Sequence, residues 1–385
     1  MLAERKMLSK QSQKGGDGST NIQTEQMIVQ VGIDEKRARE IYQEMNLQLK
    51  KDYTDEALKV ANQRVSEFEN RLMPKMEEVE GALGAFADPS FQILLLEAQK
   101  TAAASERPAD YDLLSELLIH RFQKGENRIV RAGINRAVEI VDEISDDALL
   151  GLTALHTVNS FFPATGDIGQ GLDILDELFG KIIYGKLPVG SDWVDHLDIL
   201  DAVRLSSFNG LKKIEQYYPE QLSGYVDAGI KKDSDNFAKA MEILNTNSLP
   251  RNILVEHSLN SEYVRLPVSA KQQIDSLKLI QSLPDAGQIL IQPFHHAGQM
   301  VQRRVSLTET QKQALHVIYE LYDSNVNIEN ENKRVLMELW DKRANLKALK
   351  TWWNNLNIGI QITSVGRVLA HSNAQRCDKN LPPLN

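Results

Sequence analysis

The chain has 385 residues, a net charge of −9 and a single cysteine. Its length suits two or three domains with a sizeable core, and its acidity argues against a protein that coats nucleic acid along its whole surface. Cys377 alone excludes an intrachain disulfide and a cysteine-based zinc cluster. No apolar run has signal-peptide or membrane-helix length, so the expectation is a cytoplasmic protein with no membrane partner.

Residues 1–32 read as a flexible leader. Residues 1–16 carry four Lys/Arg against one Glu, followed by the Gly15-Gly16-Asp17-Gly18 run. Within the leader, Met27-Ile28-Val29-Gln30-Val31 alternates like a short strand with no neighbouring strand to pair with. Residues 33–85 read as a long helical, coiled-coil-like segment. Asp34 is a suitable N-cap, and helical spacing follows at Ala38, Ile41, Met45 and Leu49. After a restart near Thr54, an apolar seam runs through Leu58, Ala61, Val65, Phe68, Leu72, Met76, Val79 and Leu83. Pro74 is expected to kink or split that helix.

Residues 86–300 read as a helical bundle. Helices are predicted at 88–104, 109–123, 126–144, 146–160, 171–184, 191–204, 206–217, 234–245 and 269–282, with short Pro- and Gly-containing breaks. A β segment is admitted at 251–266. Residues 301–385 read as a winged-helix-like α+β module. One helix starts at the Ser306–Glu309 capping box and ends near Tyr322, and a second runs from Glu329 to Lys350. A strand at 358–362 and a last helix capped by Thr363-Ser364 follow. The fold class is therefore mostly α: a multi-helix bundle with a short N-terminal strand and a small α+β C-terminal part.

Motifs that carry chemistry are scarce. Thr165-Gly166-Asp167-Ile168-Gly169-Gln170-Gly171 superficially resembles a phosphate loop, but no strand precedes it and no Lys-Ser/Thr pair follows; it reads as a helix–helix connection. Asp192, Asp195, His196, Asp198 and Asp201 spread around a helix rather than converging on a metal. His295-His296 lack the i, i+4 spacing of a helical zinc pair. The other histidines are scattered. No catalytic residue, cofactor site or metal site is assigned, and the expected cofactor set is none.

Two segments carry candidate binding residues. An unpaired strand rich in amides stacks readily with copies of itself. Asn21, Ile22, Gln23, Ile28, Val29 and Val31, with Phe68 and Leu72 of the apolar seam, are thus candidates for assembly into a homo-oligomer. The basic residues Arg334, Lys342, Arg343, Lys347 and Lys350 lie on helices of a winged-helix-like module and are candidates for nucleic-acid contact.

The stretch Ser12-Gln13-Lys14-Gly15-Gly16-Asp17, with Ser19-Thr20-Asn21-Ile22-Gln23, Ile362-Thr363-Ser364-Val365-Gly366 and Ala370-His371-Ser372-Asn373, resembles an uncharacterised family of bacterial proteins. The Thr-x-x-Gly ending is also similar to helical proteins of the abortive-infection alpha type. That similarity implies a role in phage defence and brings no chemistry with it. The expectation is a non-enzymatic, self-associating protein of bacterial phage defence or stress response, with a protein partner as a further option. The alternatives are a DNA-binding regulator using the C-terminal module and an enzyme with an unrecognised helical active site.

Overall fold

The computed structural model describes residues 33–49, 54–206, 210–283, 301–356 and 358–384. The strand expected at 27–31, the assembly residues Asn21 to Val31 and the His295-His296 pair lie outside these residues. What is described is mostly helical, as the periodicity requires.

The first half is a helical body: α1 (Glu35–Leu49), α2 (Asp55–Glu78), α3 (Pro89–Ala104), α4 (Pro108–Lys124), α5 (Arg128–Glu139), α6 (Asp146–Ser160) and α7 (Ile168–Ile182). Local chemistry sets the helix starts. Asp88 accepts the Phe91 N–H at 2.8 Å ahead of Pro89, and Ser145 and Asp167 cap α6 and α7 in the same way. The apolar seam of α2 faces α3 and α4, with Ala61, Val65, Phe68, Leu72 and Met76 buried. The helix runs through Pro74 to Glu78, so the expected split does not occur. In α6 every residue from Ala148 to Val158 is buried, which places that helix at the centre of the body.

Differences begin after α7. Instead of helices at 191–204 and 206–217, α8 (Asp192–Ile199) gives way to strand β1 (Val203–Ser206), and α9 (Ile214–Gln221) follows. The break falls at Asp201, whose φ of 60° is left-handed. A short helix, α10 (Ser223–Val226), then leads out of the body.

The described residues of 227–283 and 301–325 form a small α+β lobe between two elements that pack on each other, α10 and α13 (Val326–Asp341). The lobe contains β2 (Ile230–Lys231), α11 (Asp235–Thr246), β3 (Val255–Glu256), β4 (Tyr263–Arg265), β5 (Lys278–Leu283), β6 (Val301–Ser306) and α12 (Glu309–Tyr319). Its antiparallel sheet has the order β2-β4-β3, and β5 pairs with β6 as a separate ribbon. The helix expected at 269–282 is instead a 3₁₀ turn at Lys271–Ser276 followed by β5. The capping box is formed by Thr308 and Gln311, so α12 begins after β6 has ended at Ser306. The lobe has its own apolar cluster, including Ile230, Leu244, Leu266, Ile274, Leu315 and Ile318. Its two ends meet where the Asp323 N–H donates to Gly229 O at 2.8 Å.

Arg265 ties the lobe to the body. It is 2% exposed, and its guanidinium donates to the carbonyls of Gly224, Leu266, Val268 and Gly166. A guanidinium suits such a cage because its donors are fixed in a fork. Thr165–Gly171, the glycine-bearing loop, is the body's side of this junction. The Tyr225 hydroxyl donates to Thr165 O at 2.7 Å, and Ser269 Oγ donates to Pro163 O at 2.7 Å.

The chain then returns to the body. The helix predicted from Glu329 to Lys350 is two helices, α13 and α14 (Ala344–Asn354), broken at Lys342-Arg343. Asp176 of α7 accepts the N–H groups of Asn345 and Leu346 at 3.0 and 3.2 Å, which gives α14 its own N-terminus. Strand β7 (Gly359–Ile362) pairs antiparallel with β1, Val203 opposite Ile362. The last helix, α15 (Ser364–Cys377), packs on α4, α5 and α6. The C-terminal order is three helices, a strand and a helix, one helix more than anticipated. Its strand pairs with a strand 150 residues or so earlier, and its last helix lies in the main core.

Candidate functional site

Helix α15 is mostly buried, yet it brings polar side chains to the centre of the body. Thr363 caps it, accepting the Gly366 N–H at 3.1 Å, while its hydroxyl donates to Asp201 O at 2.7 Å. A Cβ at Gly366 would lie 1.9 Å from Ala202 O, so only glycine admits the residue leading into β1 this close. The Ile362-Thr363-Ser364-Val365-Gly366 stretch therefore docks α15 against β1. Next comes Ala370-His371-Ser372-Asn373. Ser372 Oγ and His120 Nδ1 are 3.0 Å apart, and Asn373 Nδ2 donates to Thr153 Oγ1 at 2.8 Å.

His371 sits between two other imidazoles. Its Nδ1 is 3.2 Å from His156 Nε2, and its ring centroid is 5.5 Å from that of His120. His371 Nε2 lies 3.0 Å from Pro382 O, and His156 Nδ1 lies 3.2 Å from Ser160 Oγ. A backbone carbonyl only accepts, so the proton of neutral His371 is on Nε2. His371 Nδ1 then accepts from His156 Nε2–H, and His156 Nδ1 accepts from the Ser160 hydroxyl. The tautomers follow from this hydrogen-bond network. Burial pulls the His156 ring down to about 3, with the nearby charges of His371 and Arg367 adding to the shift. Burial also draws His371 down to about 4, aided by His120 and opposed by the Pro382 carbonyl. Both rings are neutral at ordinary pH.

This chain of rings opens onto a cleft of about 570 Å3 between α6, β7, α15 and the segment 382–384. Phe161, Ile360, Ile362, Pro383 and Leu384 give it apolar walls, and Asn159, Ser160, Gln361 and Arg367 give it polar ones. Arg367 and His371 stand one turn apart on α15 and so share a face. Arg367 is exposed and carries no ion pair or side-chain hydrogen bond among the described residues. Asn159 is already engaged, donating to Leu155 O at 2.7 Å and accepting from Tyr217 at 3.0 Å. Among the described residues no Asp or Glu lines the cleft.

The residues singled out from sequence fall elsewhere. Phe68 and Leu72 are 0% exposed and packed inside the chain's own body, so the seam is not presented to a second copy. Three of the five basic residues are ion-paired within the chain. Arg334 pairs with Glu331 and Glu338, Arg343 with Asp173, and Lys350 with Asp341. Lys342 and Lys347 are exposed. Asp198 and Asp201 pair with Arg204, and His196 Nε2 accepts the Ser145 N–H at 3.2 Å. Among the described residues no three His, Cys, Asp or Glu side chains are grouped to hold a metal ion, and no helix is long and apolar enough to cross a membrane.

Scattered along the sequence, His120, His156 and His371 gave no signal of their own. The one sequence feature at the site is Ala370-His371-Ser372-Asn373, three consecutive polar residues that are all buried in α15. Fold and cleft define a mostly helical protein with a polar seam of histidines beneath a mixed polar–apolar cleft. A family model matches residues 32–382, and the chain belongs to that uncharacterised family. The match begins after the Ser12–Gln23 stretch and takes in the whole cleft except Pro383 and Leu384. No curated protein and no solved structure matches the chain.

Proposed function

We propose that this chain is a non-enzymatic binding protein that takes up a small molecule in the cleft between α6, β7 and α15. The observation that carries the reading is Arg367, an exposed guanidinium with no ion pair among the described residues, standing over apolar walls in a cleft of about 570 Å3. Such a volume is in the range of small-molecule sites, and one cation over an apolar surface suits recognition of a ligand. Acyl transfer through Ser160 has less support: a histidine held near 3 is too weak a base to take a serine proton at neutral pH. The same reading retains a role in phage defence or stress response, with ligand uptake as the trigger.

A thermal-shift screen of a broad small-molecule library tests it. Hits are expected whose stabilisation disappears in Arg367→Ala. A library with no Arg367-dependent hit would sink the reading, and covalent labelling of Ser160 by a fluorophosphonate would replace it with the enzyme alternative.

Self-association is retained as a second part of the proposal. With Phe68 and Leu72 in the chain's core, it rests on residues 1–32. Light scattering on the full chain and on a chain lacking residues 1–32 is expected to give an oligomer and a smaller species, respectively. DNA binding has less support, because three of its five candidate cations are ion-paired within the chain.

A further inference from the structure

The hydrogen-bond direction in the histidine seam specifies what the cleft can recognise. Pro382 O fixes the proton of His371 on Nε2, and that choice passes through His156 to Ser160 at 3.0, 3.2 and 3.2 Å. The Ser160 proton is therefore turned inward toward His156 Nδ1, and its oxygen lone pairs are left for the cleft. A ligand meeting Ser160 must bring a donor. Arg367 brings five donors and a positive charge, and its planar fork matches a carboxylate. Among the described residues the cleft lining holds one cation and no carboxylate, so it balances one negative charge and gives a ligand ammonium no counter-charge. Phe161, Ile360, Ile362 and Leu384 provide the surface for an apolar side chain.

We propose that the cleft binds an α-hydroxy carboxylate bearing an aromatic or branched apolar side chain. The carboxylate lies on Arg367, the hydroxyl donates to Ser160 Oγ, and the side chain covers the apolar wall. The inference rests on the reading of the cleft as a small-molecule site and adds the ligand's chemistry to it. An inorganic phosphate lacks the apolar part and carries more charge than one guanidinium balances. An amino acid of the same shape puts a second cation beside Arg367 with no carboxylate to receive it.

Calorimetry on the full chain, with histidine ring NMR signals to locate the ligand, tests the assignment. The probes are 3-phenyllactate, 3-phenylpropionate, 3-phenylpropanol, phenylalanine and inorganic phosphate. The lactate is expected to bind at least tenfold tighter than each of the others and to shift the His156 and His371 rings. Arg367→Gln is expected to weaken it at least tenfold. Ser160→Ala is expected to erase the advantage of the lactate over the propionate while leaving propionate binding unchanged, a result that loss of folding does not produce. Equal binding of lactate and propionate, or a preference for phenylalanine, the neutral alcohol or phosphate, overturns the ligand assignment and leaves the cleft as a site for other molecules. No shift of the two rings with any probe overturns the ligand assignment, and the absence of Arg367-dependent hits in the broad library would then overturn the site itself.

Discussion

Glycine illustrates how single residues control this fold. In Thr165–Gly171 the sequence suggests a phosphate-binding turn, but the glycines serve packing. A Cβ at Gly166 would lie 2.0 Å from the backbone of Pro267, and one at Gly171 would lie 2.1 Å from the Tyr225 hydroxyl. Gly166→Ala is therefore expected to push the lobe away from the body and uncover the Arg265 carbonyl cage, costing on the order of 2–4 kcal/mol. Gly84, which has nothing within 4 Å of its missing Cβ, is the control. Gly84→Ala is expected to be neutral or to stabilise by about 0.4–1 kcal/mol through the unfolded chain. Urea denaturation of the two variants checks both, and similar midpoints would refute the packing account. Arg265 makes the same point with a charge: four carbonyls, and no carboxylate, hold its guanidinium.

At the scale of elements, periodicity was a good guide to existence and a poor one to ends and partners. The helices predicted at 88–104, 109–123 and 146–160 appear as α3, α4 and α6. Their caps and apolar spacing are local, and local signals survive into the structure. Helix 329–350 failed because Asp176, far away in sequence, supplies the acceptor that starts α14. Helix α2 is amphipathic, as its spacing predicts, but an apolar seam looks the same whether it meets another chain or its own. Here it meets α3 and α4. Phe68→Ala is accordingly expected to destabilise the folded chain by about 3–5 kcal/mol, as for a large side chain deleted from a core. The measurement is the urea midpoint at two protein concentrations tenfold apart. A loss that depended on concentration would instead place Phe68 in an interface.

For the molecule as a whole, buried histidines couple folding to pH. His156, His371 and His257 titrate in the folded chain near 3, 4 and 4, below the 6.5 of a free imidazole. Above 6.5 all are neutral in both states and stability is complete. As pH falls below 6.5 the unfolded chain takes up protons that the folded chain refuses, so stability is lost until the folded values are reached. Between pH 6.5 and 5, His156 alone is expected to cost about 2 kcal/mol. Urea midpoints across that range should fall for the wild type and fall less for His156→Gln. A flat wild-type profile would refute the neutral-histidine seam and, with it, the inward-turned Ser160.

Taken alone, the sequence determined the mostly helical class, most helix starts in the first half and a strand at 358–362. Each of these depends on residues a few positions apart, through caps, apolar spacing or alternation. Only the tertiary structure decided that residues 227–283 and 301–325 form a lobe between α10 and α13, that β7 pairs with β1, and that His120, His156 and His371 adjoin. Those facts depend on residues separated by about a hundred positions or more, which no local pattern encodes. The cleft belongs to the second kind. Its walls come from α6, β7, α15 and the residues after it, so it exists only once the whole chain has closed around its centre.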